Sequence, residues 1–419
     1  MKQKVWKETA PHTGNKKRNL VMGVTILTSF ITTFMGSALN LSIPSIDAEF
    51  GAGSQTVNWV VTAYMLTCTG LAIPFGYLAD SGNRSCILKI GIAIFTAASV
   101  FAVIFDRIGM LILFRGLQGV GAAMIFSSNI PILVDSFTEA QRGKVLGYAA
   151  CANYLGLSLG PVLGGILNTN LGWRAIFVST AVVSGICFTG ACLAIRTQNP
   201  AAQHAAKRPT LQHYLKLCKQ NPSFVRSNIA ALINYGANFS VTYLLALYLQ
   251  LVQGYSAQHA GLFLIAQTAV MAVLSPITGK LSDQWSPQGL SAIGMGICAG
   301  GLTIFLFLQE SSALWLVLGG LVVCGIGFAF FAAPNTHAVM AAVDEKDYGM
   351  ASSILSTMRS FGHTGCMLLI TLLTGLYLSN QTLTEADPLL LLKMMRMVFV
   401  IFLLFCILGF FMAKKRKMW

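Results

Sequence analysis

Apolar residues fill long stretches of this chain, and polar residues are confined mostly to the short segments between them. An amphipathic helix of a soluble protein carries a polar stripe every three or four residues, and these stretches show almost none. An α-helix needs about 20 apolar residues to cross a bilayer. The pattern therefore predicts twelve transmembrane helices, at about residues 20–43, 57–78, 86–105, 109–133, 144–167, 174–195, 224–251, 259–279, 290–308, 313–334, 350–377 and 391–413.

A polar connector, RTQNPAAQHAAKRPTLQHYLKLCKQNPS at 196–223, divides the spans into two groups of six. Its second part, 210–220, fits a basic amphipathic helix on a membrane surface and a solvated linker equally well. We expect an all-α integral membrane protein with an N-terminal tail at 1–19, a six-helix bundle at 20–195, the connector at 196–223, a second six-helix bundle at 224–413 and a basic tail at 414–419.

Lysine and arginine are distributed unevenly between the two ends of the predicted spans. Most of the 28 such residues lie in the tails and in the loops that follow even-numbered spans. Positively charged loops remain in the cytoplasm, so we expect a multi-pass protein of the cell membrane with both tails in the cytoplasm. Membrane topology also explains the net charge of +14, and a nucleic-acid partner is not expected.

The chain lacks the sequence signatures of common catalytic and metal-binding sites. It contains no GxxxxGK[ST] phosphate loop, no HExxH zinc motif and no GxSxG nucleophile motif, and its ten cysteines show no CxxC spacing. The sequence therefore predicts neither an enzyme nor a protein that depends on a metal or cofactor.

The fifth span contains residues that normally weaken a helix. The stretch GLSLGPVLGG at 156–165 holds Gly156, Gly160, Pro161, Gly164 and Gly165. In a helix interior, Gly costs roughly 1 kcal/mol and Pro about 3 kcal/mol relative to Ala. Small residues let another helix approach closely, and proline permits a bend. On spacing alone, a gate between two states and ordinary helix packing are equally good interpretations.

The two halves of the chain resemble each other at one loop. GYLAD at 76–80 ends the second span and GKLSD at 279–283 ends the eighth, so Asp80 and Asp283 hold equivalent positions. Repeated helical bundles with a binding site near the membrane midplane are typical of secondary transporters. The similarity predicts two pseudo-symmetric bundles.

Three motifs, each in the appropriate place, resemble those of the major facilitator superfamily. GYLADSGNRS at 76–85 resembles the loop motif GxLaDrxGrk, and LFRGLQGVGAA at 113–123 resembles the fourth-span motif of the drug:proton antiporters. GLSLGPVLGG resembles the fifth-span antiporter motif gxxxGPxxGG, and this resemblance favours the gate over ordinary packing for the five residues of that motif. The stretches QTVNWVVTAYML and LGWRAIF resemble the branch that usually has fourteen spans. The resemblance covers nearly the whole chain and implies the major facilitator fold, here with twelve spans.

The sequence departs from that branch at several places. The branch usually inserts two helices where this chain has only its connector, and it usually has an aspartate where this chain has Met35. In the loop motif, Ser81 and Asn83 replace a usual basic residue and a usual glycine. These departures bear on ion coupling and loop switching more than on the fold.

Two loops at the cytoplasmic ends of the spans are candidates for a conformational switch. We expect Asp80 to approach the start of the eleventh span near Gly349, and Asp283 the start of the fifth near Gly143, where a charge–dipole contact contributes roughly 0.3–1 kcal/mol. A solvated carboxylate is the alternative, and for Asp283 the two are equally supported. The resemblance also implies an ion pair between Arg84 and Asp135. The switch candidates are Gly76, Asp80, Arg84, Asp135, Gly279 and Asp283.

Arg115 lies two turns inside the fourth span, where an unpaired cation is costly and usually functional. The resemblance implies a role in proton or substrate coupling. Snorkelling toward the membrane surface, or pairing with Asp106, is the alternative. Arg359 lies nearer the cytoplasm in the eleventh span, and snorkelling explains it adequately.

His363 is the second coupling candidate. All 14 Asp and Glu residues fall in tails, loops or span ends, whereas His363 lies near the middle of the eleventh span. Histidine has an ordinary pKa of about 6.5, which suits proton exchange. A neutral histidine hydrogen-bonded between helices is the competing interpretation.

The cavity implied by the resemblance is lined mainly by the first, fourth, seventh and tenth spans. Large apolar side chains with a few amides suit hydrophobic or amphipathic ligands that are held loosely. For each residue alone, plain packing is the competing interpretation. The candidates are Phe34, Met35, Asn40, Tyr64, Met124, Asn129, Tyr235, Asn238, Phe239, Gln267, Phe328, Phe331 and Asn335.

Taken together, the sequence predicts a secondary active transporter of the multidrug efflux type. We expect it to export hydrophobic or amphipathic compounds by alternating access, coupled to protons, as a monomer in the lipid bilayer. The alternative is a uniporter, or an exporter of one specific metabolite or lipid, without carboxylate-based proton coupling.

Overall fold

The computed structural model describes residues 15–79, 84–137, 139–195, 219, 221–344, 348–378 and 381–414. Over these residues the regular secondary structure is helical, and twelve helices are long and apolar enough to cross a membrane. The predicted twelve-span, all-α architecture is therefore confirmed. Numbered α1 to α12 in chain order, the long helices are Asn15–Ala38, Ser54–Leu78, Arg84–Ile104, Ile108–Ser136, Glu139–Leu171, Arg174–Ala194, Pro222–Leu247, Ala257–Gln284, Pro287–Leu306, Leu314–Met340, Tyr348–Tyr377 and Pro388–Lys414.

The helix ends differ from the predicted spans by a few residues. α1 begins at Asn15, inside the predicted tail. Basic side chains near the start of a membrane helix can extend to water, so the helix can begin before the apolar region does. A short helix, Ile43–Phe50, follows α1 and ends at Gly51, whose φ of 55° reverses the chain into α2. The amphipathic helix predicted at 210–220 falls almost entirely outside the described residues.

Glycines repeat at equivalent positions between the third and fourth helices of each half. A methyl group built at Gly121 of α4 would lie 2.7 Å from the carbonyl oxygen of Gly91 in α3. One built at Gly294 of α9 would lie 2.7 Å from the carbonyl oxygen of Gly327 in α10. Because apolar side chains gain little by leaving lipid for another helix, close packing of small residues holds such helices together. The same packing of glycine against a facing helix occurs in both halves, which supports two pseudo-symmetric bundles.

The two bundles are joined by polar contacts toward the face opposite the predicted cytoplasmic face, which we call the outer face. From the outer end inward, α2 and α11 are linked by hydrogen bonds between Asn58 and Thr374 (3.1 Å), between Thr62 and Thr371 (2.9 Å), and between Thr69 and Thr364 (2.9 Å). Between α5 and α8, the backbone N–H of Gln258 donates to Thr169 Oγ1 at 3.1 Å.

Toward the predicted cytoplasmic face, the ends of these helices are open. In α2, Ile73 and Tyr77 are 62% and 65% exposed, and in α8, Val273 and Ile277 are 67% and 58% exposed. The hydrogen bonds that join the bundles over the described residues belong to the outer and middle parts of the helices. Over the described residues, the bundles are therefore joined at the outer face, and α2 and α8 are exposed toward the predicted cytoplasmic face.

Candidate functional site

Three glycines of the fifth-span motif pack α5 against α1 within the first bundle. A methyl group at Gly156 would lie 2.5 Å from the carbonyl oxygen of Phe30, and one at Gly160 would lie 3.1 Å from Ser37 Cβ. At Gly164 it would lie 2.9 Å from Ala38 Cα. At these three positions the motif acts as small-residue packing, the simpler of the two predicted interpretations.

The remaining members of the motif face the second bundle. A methyl group at Gly165 would lie 2.9 Å from the backbone carbonyl carbon of Ala257, the first residue of α8. A methyl group built at Gly261 of α8 would in turn lie 2.8 Å from the carbonyl oxygen of Pro161. One motif thus serves two contacts: a fixed one inside a bundle and one across the interface that must part if the outer face opens.

Arg115 joins four helices of the first bundle. Its side chain is fully buried, its Nε donates to the carbonyl oxygen of Val60 at 2.8 Å, and its guanidinium carbon lies 4.2 Å from the centre of the Tyr64 ring. A further guanidinium N–H donates to Gln118, which donates to Ser99 Oγ at 2.7 Å. Tyr64 completes the network by donating its hydroxyl to the carbonyl oxygen of Thr32 in α1 at 2.7 Å.

Arg115 therefore does not snorkel, and it does not pair with Asp106. Asp106 instead binds Arg174 at 2.7 Å, and the described residues give Arg115 no carboxylate partner. A buried guanidinium is held here by a carbonyl, an amide and an aromatic face, as its planar set of donors allows. Through these contacts Arg115 holds α2, α3 and α4 together.

In the second bundle, Arg359 and His363 lie among aromatic rings. The guanidinium carbon of Arg359 lies 5.0 Å from the centre of the Tyr235 ring, and one of its NH groups donates to Thr336 Oγ1 at 2.6 Å. The His363 ring centre lies 5.6 Å from that of Tyr235 and 5.4 Å from that of Phe239. Phe328 meets Tyr235 edge-on at 5.0 Å. Arg359 therefore turns into the bundle, and the snorkelling predicted for it is wrong.

We call Tyr235, Phe239, Phe328, Arg359 and His363 the aromatic–cationic cluster. Both Arg359 and His363 are half-buried, and the two are one turn apart on α11, so they share a face of that helix. The cluster combines flat apolar surfaces with donors that can carry positive charge.

Four other candidates, Asn129, Asn238, Gln267 and Tyr64, form polar contacts between helices, and a fifth, Phe34, forms an aromatic contact within α1. Asn129 donates to Thr28 Oγ1 at 3.0 Å and so binds α4 to α1. Gln267 donates to Asn238 and links α8 to α7. Phe34 stacks on Phe30 with ring centres 5.9 Å apart, and Tyr64 belongs to the Arg115 network.

Several predicted cavity residues are buried elsewhere. The Met35 sulfur accepts a hydrogen bond from Thr180 of α6 at 3.4 Å, and Met124 packs on Gly91 of α3. Phe331 is fully buried near Gly294 of α9. These corrections share one cause: a helix in a bundle has neighbours on several sides, and membership of a cavity-lining span does not fix where each side chain points.

Two predicted amides also lie away from the aromatic–cationic cluster. Asn335 lines a pocket inside the second bundle, together with Arg226 and Ser291. Asn40 is buried in the turn after α1, and its side chain has no hydrogen-bond partner among the described residues.

The switch candidates are only partly brought together. Arg84 and Asp135 form an ion pair at 2.9 Å, which links α3 to the end of α4 as the resemblance implied. Asp283 has a different neighbour from the predicted one, because its carboxylate lies 3.8 Å from His337 Nδ1 of α10. A methyl group at Gly76 would meet nothing, and one at Gly279 would lie 3.8 Å from Ala333. Asp80 lies outside the described residues.

Sequence reasoning missed Asp47, a buried carboxylate at the outer closure. It lies in the short helix after α1 and accepts a hydrogen bond from the backbone N–H of Leu383, in the loop before α12. Burial raises the pKa of Asp47 above its ordinary value, although the backbone N–H groups of Leu383, Gly53 and Ala52 favour the charged form. The only sequence signal was its place directly after the first span.

We predict that Gly165→Ala opens the outer face. The added methyl group would press on the backbone of α8, and overpacking of this kind costs about 1–3 kcal/mol, which shifts a two-state equilibrium roughly 5- to 150-fold. The distance between spin labels at Asn170 and Glu310, at the outer ends of the two bundles, should increase. Gly147→Ala is the matched control, because a methyl group there meets nothing. Identical distance distributions for the two variants would contradict the contact.

We predict that acidic pH favours outer closure through Asp47. In an open outer face Asp47 would be exposed, with its ordinary pKa near 3.8. Closure raises the pKa of Asp47 and is therefore coupled to uptake of a proton. This coupling fully stabilises the closed state below about pH 3.8, and the stabilisation is lost as the pH rises through the raised pKa. The same spin-label distance should lengthen over that range in the wild type.

Asp47→Asn should be closed more often than the wild type at neutral pH and should lose the pH response. Glu385 and Tyr243 also lie near Asp47, and Glu385 raises its pKa further. Glu385→Gln is therefore the comparison variant, expected to keep a smaller response. An unchanged response in Asp47→Asn would assign the pH dependence to another group.

Comparison with known proteins agrees with this architecture. A sequence model of the Major Facilitator Superfamily matches residues 25–365. The riboflavin transporter RibZ of Clostridioides difficile is 26% identical over 390 residues, covering 82% of this chain and 86% of that protein. The multidrug resistance protein Stp of Mycobacterium tuberculosis is 26% identical over 401 residues, covering 84% of this chain and 74% of that protein.

A solved structure shares the fold. It is that of a bacterial homolog of the human lysosomal transporter Spinster, which superposes with a TM-score of 0.80 over 96% of this chain and 98% of that one, at 16% sequence identity. The family match spans most of the chain and includes all the motifs that first suggested it. This protein is a member of the Major Facilitator Superfamily.

Proposed function

We propose that this protein exports hydrophobic or amphipathic compounds from the cytoplasm by alternating access, in exchange for protons. It would lie in the cell membrane with both tails in the cytoplasm, as the distribution of basic residues predicts. The observation that carries the proposal is a pair of bundles joined at the outer face, with α2 and α8 exposed toward the opposite face over the described residues, and the aromatic–cationic cluster on α7, α10 and α11 of the second bundle.

The interface between the bundles suits repeated opening. Its contacts are mostly single hydrogen bonds between threonine and asparagine side chains, and such bonds between membrane helices contribute only about 0.6 kcal/mol each on average. A few of them can be broken and remade during a transport cycle. Substrate would enter from the open side and meet the rings of Tyr235, Phe239 and Phe328.

Proton coupling would rest on His363. Among the described residues, the only aspartates within a span, Asp135 and Asp283, lie at its end, and His363 is the histidine nearest the middle of a span. Its neighbour Arg359 lies one turn away on the same helix, α11. Substrate and proton would then compete for the same small region, which is the requirement for exchange.

Export of one metabolite is the second candidate, because the riboflavin transporter RibZ is among the relatives. Flavins are flat and aromatic and would fit the same rings. The relative Stp, a multidrug resistance protein, favours the broader substrate range. The two candidates differ in how many unrelated compounds the protein moves.

The test is transport by the purified chain in proteoliposomes, with and without a pH gradient. We expect movement of at least two unrelated aromatic dyes, faster with the gradient, because loosely shaped apolar sites accept several ligands. Movement of riboflavin alone would favour the second candidate. No movement of any dye or of riboflavin in either condition would refute both.

We predict that His363→Gln separates exchange from the pH gradient. Glutamine retains hydrogen bonding but cannot take up the proton, so downhill exchange should continue while acceleration by the gradient is lost. His259→Gln is the matched control, since His259 lies exposed at the outer start of α8. Full acceleration in His363→Gln would exclude His363 and direct attention to the span-end carboxylates.

A further inference from the structure

Three arginines lie at least two turns from the ends of their helices: Arg115, Arg359 and Arg396. None forms an ion pair with a described carboxylate. Arg115 donates to the carbonyl oxygen of Val60, and Arg396 to that of Leu308. Each also has one buried nitrogen, Nη2 in Arg115 and Nε in Arg396, without an acceptor among the described residues. Among the described residues, aspartate and glutamate lie outside the spans or, for Asp135 and Asp283, next to the last residue of a span, so no acidic side chain lies deep in a span to balance these charges. The interior of the protein therefore carries an excess of positive charge.

Arg359 differs from the other two because its hydrogen bond goes to a side-chain hydroxyl and not to a backbone carbonyl, and because it lies one turn from His363. Of its five N–H donors, one binds the neutral hydroxyl of Thr336, and Nε is buried without an acceptor among the described residues. It is half-buried on a helix that borders the opening between the bundles. A guanidinium with unused donors matches a carboxylate, sulfonate or phosphate, which can accept two N–H bonds at once.

Resting on the proposed export function, we infer that the aromatic–cationic cluster is an anion-binding site and that the transported compounds are aromatic organic anions. Arg359 binds the anionic group, and the rings of Tyr235, Phe239 and Phe328 hold the flat apolar part. His363, one turn away on α11, adds a hydrogen-bond donor on the same side.

Electrostatics favours this class over organic cations. A cation brought to the cluster would meet Arg359 with no carboxylate to offset the repulsion, and like charges in a partly desolvated site repel strongly. An anion relieves the cost of keeping an unpaired guanidinium away from bulk water. The basic residues concentrated on the predicted cytoplasmic face would also raise the local concentration of anions at the opening.

The arrangement of the cluster also selects for flat rings. Tyr235 is already sandwiched between Arg359 at 5.0 Å and Phe328 at 5.0 Å, which fixes its orientation. Phe239 stacks on Tyr243 with ring centres 6.1 Å apart and only 16° between the planes. Tyr235, Phe239 and Phe328 are 5%, 7% and 2% exposed, so they are held in fixed positions. A planar ligand that reaches them therefore costs the protein little conformational freedom.

The test uses three ligands that share one ring system and differ in charge: 2-naphthalenesulfonate, 2-naphthalenemethanol and 2-naphthylmethylammonium. Binding to the full chain in nanodiscs is measured by equilibrium dialysis, with empty nanodiscs subtracted. Because hydrogen bonds to charged groups are among the stronger ones, we expect the sulfonate to bind at least about tenfold more tightly than the ammonium compound.

Arg359→Gln should weaken sulfonate binding by about tenfold and leave binding of the neutral alcohol within about twofold, which also reports that the variant is folded. Arg359→Lys should fall between, since it keeps the charge without the planar donors. Arg396→Gln is the matched control: it removes an arginine from α12 that is bound to a carbonyl away from the opening, and should leave the selectivity unchanged.

Equal or tighter binding of the ammonium compound to the wild type would overturn the inference, as would failure of all three ligands to bind. Loss of sulfonate selectivity in Arg396→Gln but not in Arg359→Gln would overturn the assignment to the cluster. Selective sulfonate binding by a protein that moves no dye in proteoliposomes would refute the proposed export function and leave the anion site standing.

Discussion

Direct contact between helix backbones is the constraint on which the rest of this structure depends. In a bilayer, apolar side chains gain little by leaving lipid for another helix, so helices hold together through close packing and polar contacts. At Gly121 and Gly294 a methyl group would lie 2.7 Å from a facing carbonyl oxygen. These positions tolerate no side chain without a shift of the helices, and they fix the spacing within each bundle.

The interface between the bundles is built differently. Gly165 and Gly261 bring α5 and α8 close, but α2 and α11 meet through hydroxyl and amide side chains such as Thr62 and Thr371. Hydrogen bonds of this kind are individually weak between membrane helices. The molecule thus combines rigid glycine-packed bundles with an interface that a few kcal/mol can rearrange, which is the mechanical requirement for alternating access.

The spans were predictable from sequence because the bilayer imposes a length and a composition on every crossing helix. The direction of individual side chains was not. Gly164 and Gly165 are neighbours in sequence, yet they contact α1 and α8, because successive residues project about 100° apart around a helix. Placing them requires the rotation of the helix about its axis, which an almost uniformly apolar sequence does not encode.

The same difficulty explains the residues that were misplaced or missed. Met35 occupies a position that usually carries an acid in the branch it resembles, but its sulfur faces Thr180 of α6. In the sequence, Asp47 looks like an ordinary loop carboxylate. In the structure, it accepts a hydrogen bond from the loop before α12. Both depend on contacts between segments far apart in the chain, and no local pattern in the sequence reports them.

The pseudo-symmetric fold supports an asymmetric distribution of charge. In the first bundle, Arg115 has no acidic side chain beside it among the described residues. It donates to Val60 and Gln118, and its buried Nη2 has no acceptor there, so its described contacts hold helices together. In the second bundle, Arg359 keeps unused donors next to the titratable His363. Under our proposals, the first bundle is then rigid, and the charged group of the substrate and the proton both bind to one face of α11, at Arg359 and His363. Because α11 also carries Thr364, Thr371 and Thr374, the same helix that senses the ligand holds the two bundles together.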